Sequence, residues 1–208
     1  VIVSAGGEVS DIRKVVSPVM VNDPKTTLYH IDFSFDELRL GGSAFAQSQG
    51  CVGSDVPTVK NPEYFRDAFN AVQQLVEQGL ILSGHDISAG GLITTLLEMN
   101  FANTEGGLDV SLDKFHTDDL VKVLFAENPG VVVQVADKYK KAFKALLEDC
   151  GVGYVKLGHP TDERQIMVTL HEATYQFGID YLRDVWYETS YLLDTKQSMN
   201  GRAKARFE

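Results

Sequence analysis

The chain has 208 residues, 44% hydrophobic and 23% charged, a composition that supports one well-packed core. A formal net charge of -10 leaves no basic face for a phosphate backbone, and no run approaches the ~20 apolar residues of a membrane span, so neither nucleic acid nor membrane is expected as a partner. The two cysteines, Cys51 and Cys150, form no CxxC or Cys/His cluster, which points away from zinc and a disulfide framework and toward a reducing cytoplasm.

Residues 1–5 read as a short buried strand, followed by the turn signal Gly6-Gly7 and a polar stretch to Pro18. With no initiator methionine and no signal-peptide pattern, the start suggests a piece of a longer chain, and a piece need not hold a whole active site. Alternating β-branched and aromatic residues over 27–33 predict a strand ending near Ser34 and Asp36. Leu40-Gly41-Gly42-Ser43 opens a short helix through Gln47, with Ser43 as its N-cap. A surface loop over 51–60 runs into Asn61-Pro62, a cap followed by a proline at the first helical position. The helix that follows, to about Gln78, places Phe65, Phe69, Val72, Leu75 and Val76 on one face. The apolar run Leu80-Ile81-Leu82-Ser83-Gly84 predicts a central strand covered on both faces. It leads through His85-Asp86-Ile87-Ser88-Ala89-Gly90-Gly91 into a helix bearing Leu92, Leu96, Leu97, Met99 and Phe101.

Beyond Gly106-Gly107 come helices over 118–125 and 137–150, strands over 130–136, 154–157 and 166–170, and a turn at His159-Pro160. A last helix over roughly 173–194 carries Phe177, Tyr181, Leu182, Val185, Trp186 and Leu192, a stripe that reads as core or as a domain-docking surface. The element order gives the fold class α/β (α+β), a small mixed β-sheet with helices packed on one face. One domain is expected over 1–195, with 1–18 leading in from a preceding domain, and a polar, glycine-containing linker over 196–208.

The stretch from His85 to Gly91 carries the chemistry. A strand–turn–helix junction with paired glycines aims backbone N–H groups at whatever fills the crevice, and a helix N-terminus favours an anion such as phosphate. Asp86 is a hard oxygen ligand placed for a Mg²⁺ ion on those phosphates, Ser88 can donate its hydroxyl to a phosphate oxygen, and Gly90 and Gly91 offer the amides. The same residues also fit a bland arrangement in which Asp86 or Ser88 caps the helix and the glycines permit close packing; the residues alone leave both open. His85 reads as structural. Leu40-Gly41-Gly42-Ser43-Ala44 is a second glycine turn at a helix start: Gly41, Gly42 and Ser43 are candidates for a phosphate or substrate contact, with a tight turn as the leading reading. Glu98 reads as a solvated or paired surface group, and Asp32 as a strand-end carboxylate in a turn. His116, His159 and His171 have no metal spacing, and nothing resembles a Cys/His or Ser/His/Asp arrangement, so no catalytic residue is assigned.

Five strings occur in order: Gly7-Glu8-Val9-Ser10-Asp11-Ile12-Arg13-Lys14; Leu40-Gly41-Gly42-Ser43-Ala44; His85-Asp86-Ile87-Ser88-Ala89-Gly90-Gly91-Leu92 with Glu98-Met99 and Phe101-Ala102; Leu124-Phe125-Ala126-Glu127-Asn128-Pro129-Gly130-Val131; and Trp186-Tyr187-Glu188-Thr189-Ser190-Tyr191. Together they resemble, over essentially the whole chain, the second carboxy-terminal domain, of the aminoimidazole ribonucleotide (AIR) synthetase type, of the large single-chain phosphoribosylformylglycinamidine synthases. The resemblance implies the AIR synthase C-terminal fold and a ligase of de novo purine biosynthesis. Such an enzyme uses ATP to activate the formyl amide oxygen of formylglycinamide ribonucleotide, then displaces phosphate with ammonia from glutamine. Matched residue by residue, it implies Asp86 as a Mg²⁺ ligand and Ser88 as a nucleotide contact, with Mg²⁺ and ATP or ADP as cofactors. The family often has Asp where this chain has Ala89, which speaks against turnover at this copy, and the nucleotide of the family's second pair looks like a retained, structural ADP. The partners implied are a preceding AIR synthase-like N-terminal domain and a following glutaminase domain of the same polypeptide, plus a small-molecule ribonucleotide substrate; the fragment alone is expected to be inactive. Two alternatives are a non-catalytic docking domain with retained ADP and a domain of a related ATP-using enzyme of the selenophosphate synthetase, thiamine-monophosphate kinase or hydrogenase-maturation type. The string from Trp186 to Tyr191 and the trailing segment argue against the last.

Overall fold

A computed structural model describes residues 4, 6–9, 11–199 and 201–207; apart from Ser4, the strand expected over 1–5 lies outside them. The elements in chain order are β1 (Thr26–Asp32), α1 (Ala44–Ser48), α2 (Pro62–Glu77), β2 (Ser83–Asp86), α3 (Gly91–Phe101), β3 (Gly107–Ser111), α4 (Leu120–Phe125), β4 (Gly130–Ala136), α5 (Lys140–Asp149), β5 (Tyr154–Thr161), β6 (Gln165–Leu170), β7 (Ala173–Gly178), α6 (Ile179–Gln197) and α7 (Arg202–Phe207). The caps expected at Ser43 and Asn61 are present: the Ser43 hydroxyl accepts from the Ala46 amide, and the Asn61 side chain accepts from the amides of Glu63 and Tyr64.

The strands form one seven-stranded sheet in the order β2-β4-β1-β5-β3-β6-β7. It is mixed, as expected: β3 and β6 run parallel and the other neighbours antiparallel. The helices, however, pack on both faces of the sheet, where one face was expected. Because strand side chains alternate, Leu28 and Val132 join α3 and α4 in one core, while Tyr29, Ile31, Val133 and Val135 join α2 and α5 in another. α2 approaches its face through the fully buried Ala68, Ala71 and Leu75, and this close contact leaves Phe69 47% exposed, outside the face assigned to it.

Four further differences have local causes. The run from Leu80 yields a strand only at Ser83–Asp86, and β2 lies at the sheet edge, not its centre. Leu80 and Ile81 are buried as a plug in the α2/α5 core, which explains their apolar character without strand pairing. His159 and Pro160 lie within β5, where Pro160 pairs with Leu108 of β3 beyond the last β1 partner, Gly158. The first six residues of the expected last helix are instead β7, which joins β6 through the two-residue turn His171-Glu172, with His171 at φ +53. In the tail, α7 folds back on α6: the Phe207 ring stacks on Tyr191 at 4.5 Å and Arg206 pairs with Asp194.

Two buried amides fasten the segments that carry the site. Gln134, at the centre of β4, accepts from the Val21 amide and the Ser83 hydroxyl and donates to the Val21 carbonyl and the Thr26 hydroxyl, so the lead-in segment and β2 are tied to one satisfied side chain. Asn128 donates to the Ser34 hydroxyl and the Glu37 carbonyl and accepts from the Arg39 amide, holding the loop that precedes the first glycine turn.

Candidate functional site

β2 pairs with β4 through His85↔Val132 and Asp86↔Val131, and the Ile87 amide continues the ladder to the Gly130 carbonyl at 2.8 Å. This places the Asp86 side chain, 71% exposed, at the open end of the edge strand, with the exposed Ser88 two residues on. No side chain caps α3: Gly90 stands at its N-cap with φ +91, so neither Asp86 nor Ser88 fills the capping role that the sequence left open. The packing half of that reading does hold. A Cβ on Gly91, at φ +70, would lie 2.7 Å from the Leu124 carbonyl oxygen, so only glycine lets α3 meet the end of α4 this closely. Both glycine amides already have acceptors: Gly91 donates to the Ser88 carbonyl at 3.0 Å, and Gly90 donates to Glu127 Oε1 at 2.8 Å.

The Gly41–Ser43 turn is built inward. Gly41 donates to the Asp55 carbonyl at 2.8 Å, Gly42 donates to the Val52 carbonyl at 2.7 Å, and a Cβ on Gly41 would lie 2.5 Å from the Asp55 oxygen. Ser43 is 1% exposed, and its hydroxyl donates to the Leu40 carbonyl while capping α1. The tight turn that led the expectations for this stretch is what forms. Of its neighbours, the Ala44 amide points to Glu127 Oε1 at 2.8 Å. The same carboxylate oxygen therefore accepts from both helix starts.

His85 is held as a structural residue. Its Nδ1 lies 2.8 Å from the Asp86 carbonyl oxygen, its Nε2 lies 3.1 Å from Glu98 Oε2, and Glu98 Oε1 accepts from Trp186 Nε1 at 3.0 Å. Glu98 is thus a paired group, and it joins the His85–Gly91 turn to α6. Asp32 accepts from the amides of Ser34 and Phe35 and from the Ser34 hydroxyl, a turn role as expected. On the adjoining strand the buried His30 has its pKa lowered to about 4: burial disfavours the imidazolium, and the Asp32 charge offsets part of that. Asp36, beside the same turn, is held below the ordinary carboxylate range by its hydrogen bond with Arg39.

A groove of about 360 Å³ opens along the β2 edge between Val16, Val72, Val76 and Ile81, with His85 and Asp86 at its rim. A second cleft, also about 360 Å³, lies beside the Gly41 turn, between Phe45, Val52 and Lys122. Among the described residues no group of three or more His, Cys, Asp or Glu side chains could hold a metal. Asp86 fits a Mg²⁺ ion as a single carboxylate donor, which suits an ion completed by phosphate oxygens and water. Residues that the sequence did not single out for the site are Glu127, which the family-like string contains but no local pattern explains, and Trp186, whose role as a donor to Glu98 depends on how α6 crosses α3.

The sequence profile described as AIR synthase related protein, C-terminal domain, matches residues 29–171. The chain belongs to this family. The AIR synthase C-terminal domain described here is 34% identical to the probable chloroplastic/mitochondrial phosphoribosylformylglycinamidine synthase of Arabidopsis thaliana, over 95% of this chain and 14% of that protein. It is likewise 34% identical to the phosphoribosylformylglycinamidine synthase of Homo sapiens, over 95% of this chain and 15% of that protein. The chain thus spans about one seventh of the length of these relatives, which contain further regions. Among solved structures, T. maritima PurL complexed with ATP superposes with a TM-score of 0.64 at 15% identity, covering 83% of this chain and 28% of that one, a likeness of fold. The resemblance read from the five ordered strings is borne out. No helix among the described residues is long and apolar enough to cross a membrane.

Proposed function

We propose that this AIR synthase C-terminal domain is the second such domain of an ATP-dependent, glutamine-using phosphoribosylformylglycinamidine synthase, a ligase that converts formylglycinamide ribonucleotide to formylglycinamidine ribonucleotide. Its contribution is one side of a Mg²⁺–nucleotide site, with Asp86 as the metal ligand and Ser88, Gly90 and Gly91 along the phosphates. The observation that carries the reading is that Asp86 and Ser88 stand exposed at the mouth of α3 and that neither is spent on capping it. Exposed oxygen-bearing side chains beside a helix start, Asp86 paired among the described residues only with the His85 ring 3.3 Å from its carboxylate, suit a Mg²⁺–phosphate ligand. Mg²⁺ held there would neutralise charge on the phosphate oxygens. The names of the two curated relatives, and the ATP complexed with T. maritima PurL, support the reading.

The remaining ligands would come from a preceding AIR synthase-like N-terminal domain, and ammonia from a following glutaminase domain of the same polypeptide. Exposed apolar side chains along α6 fit contact with such neighbours: Tyr181 is 73% exposed, Trp186 54% and Leu193 56%. Cys51 and Cys150 are unpaired thiols, which suits a reducing compartment such as the cytoplasm. A second reading, a retained structural ADP at this copy, is favoured by Ala89, where the family resemblance leads one to expect a carboxylate. Asp86→Ala in the full-length protein separates the two. Loss of copurifying nucleotide together with turnover marks a working site; loss of nucleotide alone marks a structural one; retention of both would remove Asp86 from the assignment.

A further inference from the structure

Glu127 sits in the short connection between α4 and β4, outside every capping or catalytic pattern, yet its Oε1 accepts from the Gly90 amide and the Ala44 amide, each at 2.8 Å. One carboxylate oxygen therefore spans the starts of two helices, where a negative charge is favoured by both dipoles and the bonds are charge-assisted. The connection is anchored on both sides of Glu127. Phe125 stacks on Phe45 of α1 with ring centroids 4.7 Å apart, and Asn128 makes three hydrogen bonds to the loop over 34–39. Gly91 packs against the backbone of Leu124 and Phe125 from the other direction.

We propose that Glu127 is a positioning residue: it ties the exposed His85–Gly91 turn to the rigid Gly41–Ser43 framework and so fixes where Asp86 and Ser88 present themselves to a nucleotide. The inference rests on the reading of Asp86 and Ser88 as nucleotide-binding residues. A carboxylate that merely kept the place of a phosphate would behave in the opposite sense, because its removal would free two amide donors and tighten binding. A tie, by contrast, is replaceable by any side chain of the same length with an acceptor oxygen.

The test uses the full-length protein, stripped of nucleotide, with Mg²⁺ and ADP as the probe and calorimetry as the readout. Glu127→Gln, which keeps the acceptor, is expected to bind within about threefold of the parent. Glu127→Ala, and Glu127→Asp, whose carboxylate is drawn back by one methylene, are expected to bind about tenfold more weakly, in keeping with amide donors left without acceptors. The aspartate variant carries the test should the alanine variant fail to fold. Unchanged or tighter binding in Glu127→Ala or Glu127→Asp would overturn the proposal, as would a Gln variant as weak as the Ala variant, since that would make the charge rather than the geometry the active feature. Asp86→Ala run in parallel separates the two readings. If it abolishes ADP binding while Glu127→Asp leaves it intact, the positioning role alone fails; if Asp86→Ala binds as the parent does, the nucleotide assignment at Asp86 fails and the positioning role fails with it.

Discussion

The two glycine turns of this domain are alike in sequence and opposite in construction. At Gly41–Ser43 the amides run inward to the loop over 52–55, and the one polar side chain is buried and capping. At His85–Gly91 the glycines serve packing and the polar side chains, Asp86 and Ser88, remain outside. The comparison teaches that a glycine pair before a helix is not in itself an anion site: the glycine amides of both turns are already engaged, and what differs is whether the neighbouring polar side chains face outward.

The largest expected effect at neutral pH is at the glycines. Gly91→Ala adds a Cβ at 2.7 Å from the Leu124 oxygen in a left-handed backbone position, and overpacking plus that strain should lower unfolding stability by about 3 kcal/mol in urea titration. Gly41→Ala meets backbone equally closely at an ordinary φ and should lose about 2 kcal/mol. A neutral outcome at either position would break the account of why glycine is needed there.

Acid separates the packed region from the exposed one. His30, buried in β1 beside Phe115, has a folded pKa of about 4 against 6.5 for the ordinary group, so the fold favours its neutral form. The unfolded chain binds the extra proton, so this contribution is complete above pH 6.5 and is lost as pH falls toward 4, by about 3 kcal/mol. His30→Phe should flatten that part of the stability–pH curve; a variant with the same acid sensitivity as the parent would contradict it.

Smaller effects sharpen the contrast between the two serines. Ser43→Ala should cost about 1 kcal/mol of stability through the lost cap and leave ADP binding unchanged. Ser88→Ala should stay within about 0.5 kcal/mol of the parent, as an exposed substitution does, while weakening ADP binding. The reverse pattern would exchange the roles of the two turns.

Local chemistry made much of the fold readable. Ser43 and Asn61-Pro62 announce their helices because side-chain oxygens and a proline act within one turn of the backbone, and β4 is legible because its valines are β-branched and continuous. What depends on distant neighbours was not readable. Leu80 and Ile81 look like strand residues because apolar character does not distinguish a central strand from a plug under helices. β3 is short and opens on Gly107, so its alternation of buried Leu108 and Val110 with Asp109 and Ser111 is brief, and β7 is almost wholly exposed. For the site, the string from His85 to Gly91 drew attention to Asp86 and Ser88 as candidate ligands, and both side chains are exposed. Glu127 was invisible as part of it, because a carboxylate 37 residues from Gly90 shows no spacing that relates the two.

The central claim is that the exposed Asp86 end of β2 holds a Mg²⁺–nucleotide. It is tested most directly by purifying the full-length protein with Asp86→Ala and quantifying bound nucleotide per chain beside the parent, with circular dichroism to verify the fold. The account predicts a folded protein from which nucleotide bound at this domain is lost; a folded variant that retains it in full would contradict the assignment.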